Sequence, residues 1–397
     1  MATPFTIPEE FSSQLRYVDS LDLRTDEEIL SSIAAHNPVT SEKNVWAYWH
    51  SGIASTPPWC QRNIANWARL CGPSWNIRVL DSVPDSPNHV LKFLDPSLLP
   101  ESFVNNTMDG PYVGPHSADF LRGACLYKFG GVYMDVGIIL IRSLDQICWK
   151  QLEDPESPYQ VSIPWMYGSV SANHFVASRK GDPFIKAWHD LFTHLWKGRS
   201  NYQGIGMDPL IAFSQHLDFS ESQKRGYAWE MAVDPFTVMQ YIGQVLSWTR
   251  LCMIDGGGKE RDWAQYAKDH ILWYDALNEN WGAETVVGFK GQPLFDALAT
   301  RLDADPNSEE YKTAHKLIWR LLTKSSMEKI THGKHLTKTP ALGLLWDMEE
   351  NKDKDRQPGT FAELLRYGSV YFEQKRDIEY VDYQKPNEVF HKGIFEP

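Results

Sequence analysis

Short hydrophobic runs alternate with amphipathic segments over the first 145 residues, and this pattern predicts strands alternating with helices. Four apolar runs fit buried strands: residues 45–49, 75–80, 131–135 and 138–141. Residues 57–70 and 117–129 have apolar side chains at helical spacing. Strands that alternate with helices are typical of an α/β fold with a mainly parallel sheet.

Local signals predict where helices begin and end. Thr25 lies three residues before Glu28, which is the spacing of a capping box at the start of a helix. Ser117 is predicted to cap the helix over 117–129, and Gly130 is predicted to end it. After residue 150 the pattern is less regular, although residues 257–330 are predicted to be largely helical.

The composition restricts the classes of partner. The net charge of -12 argues against nucleic acid or an anionic membrane as the main partner. No run of about 18 apolar residues predicts a membrane span. The first residues lack the basic and apolar regions of a secretory signal, and the five cysteines are scattered, so we expect a cytoplasmic protein. The sixteen tryptophans fit a carbohydrate or aromatic ligand, but core packing explains about three quarters of them.

One helix and the strand after it carry the strongest candidate site. Asp119 and Arg122 are one helical turn apart, and the same helix leads into Tyr133 and Asp135 at the end of the strand over 131–135. Ligands of α/β sheets bind beyond the carboxyl ends of strands. The arrangement therefore indicates a site for a polar, phosphate-bearing ligand. The alternative is that Asp119 and Arg122 form a surface ion pair that contributes little to stability.

These motifs resemble the DXD-containing glycosyltransferases of the Och1-like and capsular polysaccharide synthesis group, over roughly residues 45–210. The resemblance implies a GT-A fold, an α/β/α sandwich, and transfer from a nucleotide diphosphate sugar with retention of anomeric configuration. It also implies that Asp119 and Arg122 hold hydroxyls of the donor sugar. Tyr133 and Asp135 match the tyrosine and the first DXD acid of the family.

The resemblance extends to the end of the first strand. Trp49 matches the family's tryptophan against the base, and His50 beside it is assigned to substrate binding. The roles open to Asp135 are contact with the ribose, the sugar or a metal ion.

The chain departs from the family pattern at Gly137, which replaces the second DXD acid and marks a fungal-type variant. A glycine offers no carboxylate to Mg²⁺ or Mn²⁺. Three alternatives follow: Asp135 carries a weaker metal site, protein cations neutralise the diphosphate, or transferase activity is lost.

Two further segments contribute candidate substrate-binding residues. A basic loop offers several N–H donors to a diphosphate: His332, Lys334, His335 and Lys338. The alternative is a solvated basic loop. Asp208 follows two glycines and is assigned to the acceptor side, against the alternative of a turn aspartate.

We therefore predict a single GT-A-like domain over 1–397. Its three parts are peripheral helices at 1–40, a nucleotide-sugar-binding core at 45–210, and an acceptor side with a closing segment at 211–397. The predicted donor is UDP-glucose first and GDP-mannose second, as the resemblance implies. The predicted acceptor is a small molecule such as a secondary metabolite. The alternatives are a repurposed cavity without sugar transfer and a sugar-nucleotide hydrolase.

Overall fold

The computed structural model describes residues 5–166, 170–217, 219–256, 262–331, 335–384 and 390–391. The strands of this part of the chain are numbered in chain order. They are β1 Leu15–Tyr17, β2 Asn44–Tyr48, β3 Asn76–Leu80, β4 Gly131–Met134, β5 Ile138–Leu140, β6 Val161–Trp165, β7 Phe175–Ser178, β8 Ile254–Asp255, β9 Ile271–Asp275, β10 Met327–Lys329, β11 Phe372–Gln374, β12 Tyr380–Val381 and β13 Phe390–His391.

The α-helices of the same residues are numbered in the same way. They are α1 Asp26–Ala34, α2 Pro58–Cys71, α3 Glu101–Val104, α4 Val113–Phe129, α5 Lys150–Glu153, α6 Pro183–Leu195, α7 Ser220–Lys224, α8 Pro235–Tyr241, α9 Gly243–Met253, α10 Trp263–His270, α11 Ala276–Asn280, α12 Glu284–Val287, α13 Gly291–Ala299, α14 Glu309–Lys324, α15 Leu342–Trp346 and α16 Phe361–Tyr371. None of the helices described is long and apolar enough to cross a membrane.

A seven-stranded sheet in the order β12-β9-β6-β7-β4-β2-β3 forms the centre of the fold. The strands β2, β3 and β4 are parallel, as are β6 and β9, whereas β7 and β12 run antiparallel to their neighbours. The predicted α/β class is confirmed, and the sheet is mixed. Because β7 runs the opposite way, its first residues lie at the edge where β2, β4 and β6 end.

Two hydrophobic cores cover the two faces of this sheet. Along β2, Val45 and Ala47 belong to one core, and Trp46 and Tyr48 belong to the other, as the alternation of a strand requires. The first core takes α2, α14 and α16, and the second takes α4, α6 and α9. Thirteen of the sixteen tryptophans are buried, in agreement with the predicted core role of most of them.

The predicted helix boundaries are met in part. Thr25 and Glu28 form the predicted capping box. The helix predicted from Ser117 begins earlier, at Val113, and the Ser117 hydroxyl donates to the carbonyl of Val113 instead of capping. Pro115 is tolerated there because it lies in the first helical turn, where no intrahelical N–H bond is lost.

The amino-terminal segment differs from the predicted peripheral helices. Within residues 5–40 it contributes one α-helix, α1, and the strand β1, which pairs antiparallel with β11 from the far end of the chain. A second long-range pair joins β5 to β10, with Lys329 opposite Ile138. These two pairs are separate two-stranded sheets, and they tie the carboxyl-terminal third of the chain to its amino-terminal half.

Glu328 of β10 and Glu284 of α12 share a poorly solvated space. Glu328 is buried, and its carboxylate accepts the backbone N–H of Ala283 at 3.2 Å. One carboxyl oxygen of Glu328 and one of Glu284 have no other partner. Burial, followed by the charge of Glu284, raises the pKa of Glu328 well above its ordinary value, and burial raises the pKa of Glu284 to about 7. The two carboxyl groups are therefore protonated, in whole or in part, at neutral pH and below.

This pair predicts a fall in stability as the pH rises. The unfolded carboxyls titrate near pH 4.3, so their contribution is complete below that value and is lost as the pH rises through about 7. The change Glu328→Gln is expected to flatten the decline in unfolding free energy between roughly pH 6 and pH 8. Urea unfolding across this range measures the slope. Glu349→Gln, a change at an exposed glutamate, is the control. An equal slope of unfolding free energy against pH in both variants would contradict the assignment of the decline to Glu328.

Candidate active site

A cavity of about 1080 Å³ opens at the edge of the sheet where the parallel strands end. Trp49 and His50, directly after β2, line it, as does Asp135 after β4. Asn173 and His174 reach the same edge because β7 begins there. The topology of the sheet therefore brings three separate chain segments to one site.

Arg122 is the centre of the polar part of the cavity. Its guanidinium group is buried, donates to Asp119 and Gln244, and donates to Oδ1 of Asp135 at 3.2 Å. It also lies 4.7 Å above the ring of Tyr133. Burial opposes its charge, but Asp119 and Asp135 raise the pKa of Arg122, so it remains a fixed cation.

Asp119 is held from several sides and still faces the cavity. Its carboxylate contacts Nδ1 of His116 at 3.3 Å and accepts from Nδ2 of Asn173 at 3.3 Å. Gln244 donates to the backbone carbonyl of Asp119 and accepts from Asn173 at 2.9 Å. These bonds hold the Asp119 carboxylate in place as a hydrogen-bond acceptor. It therefore suits a ligand hydroxyl group that donates a hydrogen bond.

Asp135 accepts from two cations, one on each carboxylate oxygen. Nη2 of Arg122 donates to Oδ1, and Nζ of Lys329 donates to Oδ2 at 2.9 Å. Lys329 also donates to Oγ1 of Thr331 at 2.6 Å. Burial alone would raise the pKa of Asp135, but Lys329 and Arg122 together hold it below its ordinary value. The carboxylate is therefore ionised at neutral pH.

His174 fixes the loop that carries Asp135. The backbone N–H of Asp135 donates to the carbonyl of His174 at 3.0 Å, and the His174 ring lies 2.7 Å from the side-chain amide of Asn280. Burial, followed by the charge of Lys329, lowers the pKa of His174 to about 3. The imidazole is therefore neutral and is an acceptor for the Asn280 N–H group.

The space beside Gly137 is filled. A Cβ atom at this position would lie 2.3 Å from Oγ1 and 2.8 Å from Cγ2 of Thr331. Thr331 cannot move away without losing its hydrogen bond to Lys329. The glycine is therefore required by close packing, and a second acid has no room in this arrangement.

The donor set does not suit a divalent cation. Asp135 is the one acid of the DXD pattern that remains, and both of its oxygens are engaged by positive groups. Within the residues that the structure describes, no group of three or more His, Cys, Asp or Glu side chains is placed to hold a metal ion. Hard divalent cations need several oxygen ligands from the protein or substrate.

The remaining predicted residues fall in different places. Trp49 is half-buried and His50 is exposed, and both line the cavity. Tyr133 lies buried beneath Arg122. Asp208 is in a turn, where its carboxylate accepts the N–H of Leu210 at 3.0 Å, and it is not among the cavity-lining residues.

The predicted basic loop is described only in part. His332 and Lys334 lie outside the described residues. His335 and Lys338 are exposed and do not line the cavity, whereas Leu336 and Thr337 between them do.

Sequence reasoning missed three polar residues of the site: Asn173, Gln244 and Lys329. Asn173 lies two residues before β7, and an amide side chain at the start of a strand was a usable signal. Gln244 lies in the first turn of α9, and Lys329 ends a three-residue strand. Neither Gln244 nor Lys329 lies in a recognisable sequence pattern, because contacts between segments far apart in the chain bring both residues to the site.

An apolar wall lines the same cavity as the polar residues. It comes mainly from the segment between α7 and α9, with Trp281 from the sheet side: Tyr227, Trp229, Met231, Val233, Met239, Ile242 and Trp281. Trp229 stacks with Tyr227 at 5.7 Å and contacts Phe289 at 4.4 Å. An apolar surface beside fixed polar groups is typical of a site for a small organic ligand.

Known proteins similar to this chain are found over nearly its full length. Residues 11–205 match the family described as capsular polysaccharide synthesis protein. The chain is 51% identical over 395 residues to the probable glycosyltransferase FCK3 of Fusarium pseudograminearum, covering 99% of each. It is 38% identical over 388 residues to the O-glycosyltransferase braB of Annulohypoxylon truncatum, covering 96% of this chain and 92% of the relative. It is 36% identical over 388 residues to the O-glycosyltransferase PaGT of Phomopsis amygdali, covering 95% of this chain and 94% of the relative.

The packing at Gly137 predicts that a second acid destabilises the protein. Gly137→Asp is expected to lower the unfolding free energy by about 1–3 kcal/mol, because an added side chain overpacks a filled space. Thr331→Ala in the same chain is expected to recover part of the loss. Denaturant unfolding of the two single variants and the double variant measures the coupling. Strictly additive effects would show that Thr331 does not fill this space.

Proposed function

The chain belongs to the glycosyltransferase family of these fungal relatives, and from this premise we propose both its substrates and the outcome of its reaction. The donor is a nucleotide diphosphate sugar, UDP-glucose first and GDP-mannose second. The acceptor is a hydroxyl group of a small, partly apolar molecule such as a secondary metabolite. The supporting observation is that Asp119, Arg122 and Asp135 meet in a cavity that the apolar wall also lines.

The polar side suits the donor. The fixed carboxylate of Asp119 accepts hydrogen bonds from sugar hydroxyls, and Arg122 holds that carboxylate in place. Trp49 offers a half-buried ring on which a nucleobase stacks. The proposal gives these residues the roles that the family resemblance implies.

The apolar wall suits the acceptor. Trp229 and Met231 present partly exposed surfaces to the cavity, and burying an apolar molecule against them gains free energy in proportion to the area removed from water. Two of the relatives are O-glycosyltransferases by name, which supports a hydroxyl as the accepting group.

The proposed reaction joins the acceptor oxygen to C1 of the sugar and breaks the bond from C1 to the diphosphate. The electron pair of the broken bond goes to the departing phosphate oxygen, and the acceptor proton passes to that diphosphate. We propose retention at C1, as the resemblance implies. The protein then contributes positioning and charge stabilisation.

The test is an assay of the purified protein with each donor and two acceptor panels. One panel contains apolar polycyclic alcohols, and the other contains oligosaccharides. The expected result is transfer from one donor to the apolar alcohols, with an α-linked product from an α-linked donor by NMR. Transfer only to oligosaccharides would contradict the acceptor proposal, and an inverted product would contradict retention.

The donor assignment predicts a large effect of one conservative change. Asp119→Asn is expected to lower kcat/KM by about 10²-fold, because it removes a charged acceptor from the sugar and leaves Arg122 with one anionic partner fewer. Asp190→Asn, a change at an exposed acid on α6, is the control. An Asp119→Asn protein with unaltered kcat/KM would remove Asp119 from the donor site.

A further inference from the structure

We propose that the ammonium group of Lys329 binds the leaving diphosphate and takes the place of a divalent metal ion in this enzyme. The inference rests on the proposed donor, a nucleoside diphosphate sugar. It is carried by the position of Lys329, by the charge balance around Asp135 and by the packing at Gly137.

The position of Lys329 leaves one N–H group of its ammonium available to the ligand. The side chain is only 9% exposed, lines the cavity, and directs Nζ to Asp135 at 2.9 Å and to Thr331 at 2.6 Å. A lysine ammonium has three N–H donors. These two contacts use two of them, and the third is available to a phosphate oxygen in the cavity.

The charge balance matches that of a metal site. Two carboxylates around a divalent ion have a net charge of zero, and so does one carboxylate beside one ammonium group. In this chain Gly137 removes one carboxylate, and Lys329 supplies one positive charge to the remaining acid, Asp135. The loss of the acid and the presence of the lysine therefore compensate each other.

The packing prevents a return to the metal arrangement. Thr331 occupies the position of a side chain at residue 137, and the same hydroxyl orients Lys329. Arg122 and Lys329 engage both oxygens of Asp135. A metal ion at Asp135 would have to displace Lys329 from both of its hydrogen-bond partners.

The chemical role follows from where charge develops. As the bond from C1 to the diphosphate breaks, negative charge grows on the departing phosphate oxygen. A preorganised N–H donor of Lys329 next to that oxygen is worth most at this moment. We therefore expect the loss of Lys329 to lower kcat by about 10²–10³-fold and to change KM less.

Nucleotide binding separates this role from a structural one. Isothermal titration calorimetry in EDTA compares UDP with UMP, and GDP with GMP, because each pair differs only in the β-phosphate. Wild-type protein is expected to bind one diphosphate more tightly than its monophosphate. The variant Lys329→Met is expected to bind the two about equally, while Lys352→Met, at an exposed lysine, keeps the preference.

Charge restoration controls for misfolding of the variant. Lys329→Cys treated with 2-bromoethylamine regains an ammonium group at this position, and the five native cysteines are buried. Recovery of the diphosphate preference and of kcat after alkylation supports the inference. Failure of the alkylated, folded protein to recover either property overturns it.

Three other results also overturn the inference. They are a diphosphate preference that needs added Mg²⁺ or Mn²⁺, a preference that persists in Lys329→Met, and a preference that is lost in Lys338→Met but not in Lys329→Met. The last result would assign the diphosphate to the exposed basic loop. Wild-type protein that binds neither UDP nor GDP would instead overturn the proposed donor, so the two failures are distinguishable.

Discussion

The carboxylate of Asp135 is held between two cations, and the rest of the site depends on that contact. Arg122 reaches it from α4, and Lys329 reaches it from β10, which lies 194 residues further along the chain. A buried charge is stable only when it is paired and hydrogen-bonded. Removing Asp135 would leave Lys329 without its carboxylate, and removing Lys329 would leave one oxygen of Asp135 without its cation. The fold and the chemistry of the cavity are therefore joined at this point.

The sheet makes this contact possible by collecting strand ends at one edge. The strands β2 and β4 deliver Trp49 and Asp135 there, and the antiparallel β7 delivers Asn173 at its start. The pairing of β5 with β10 then places Lys329 beside Asp135. Gly137 is the residue that allows this approach, because any side chain there would meet Thr331.

The part of the site that could be predicted from the sequence is local. Asp119, Arg122, Tyr133 and Asp135 lie on one helix and the strand that follows, so their spacing alone brings them together. Lys329 could not be predicted, because a strand of three residues has no periodicity and its partner β5 is far away in the chain. The charge density near residues 332–338 predicted that this loop binds the diphosphate, but Lys338 is exposed and does not line the cavity.

The most direct test of the central claim is a crystal structure of the protein grown with UDP and Mn²⁺, with anomalous data that locate manganese. The account predicts Nζ of Lys329 within hydrogen-bond distance of the β-phosphate, still paired with Asp135, and no manganese peak between that acid and the nucleotide. A manganese ion bound by Asp135 and the diphosphate, with Lys329 displaced, would contradict it.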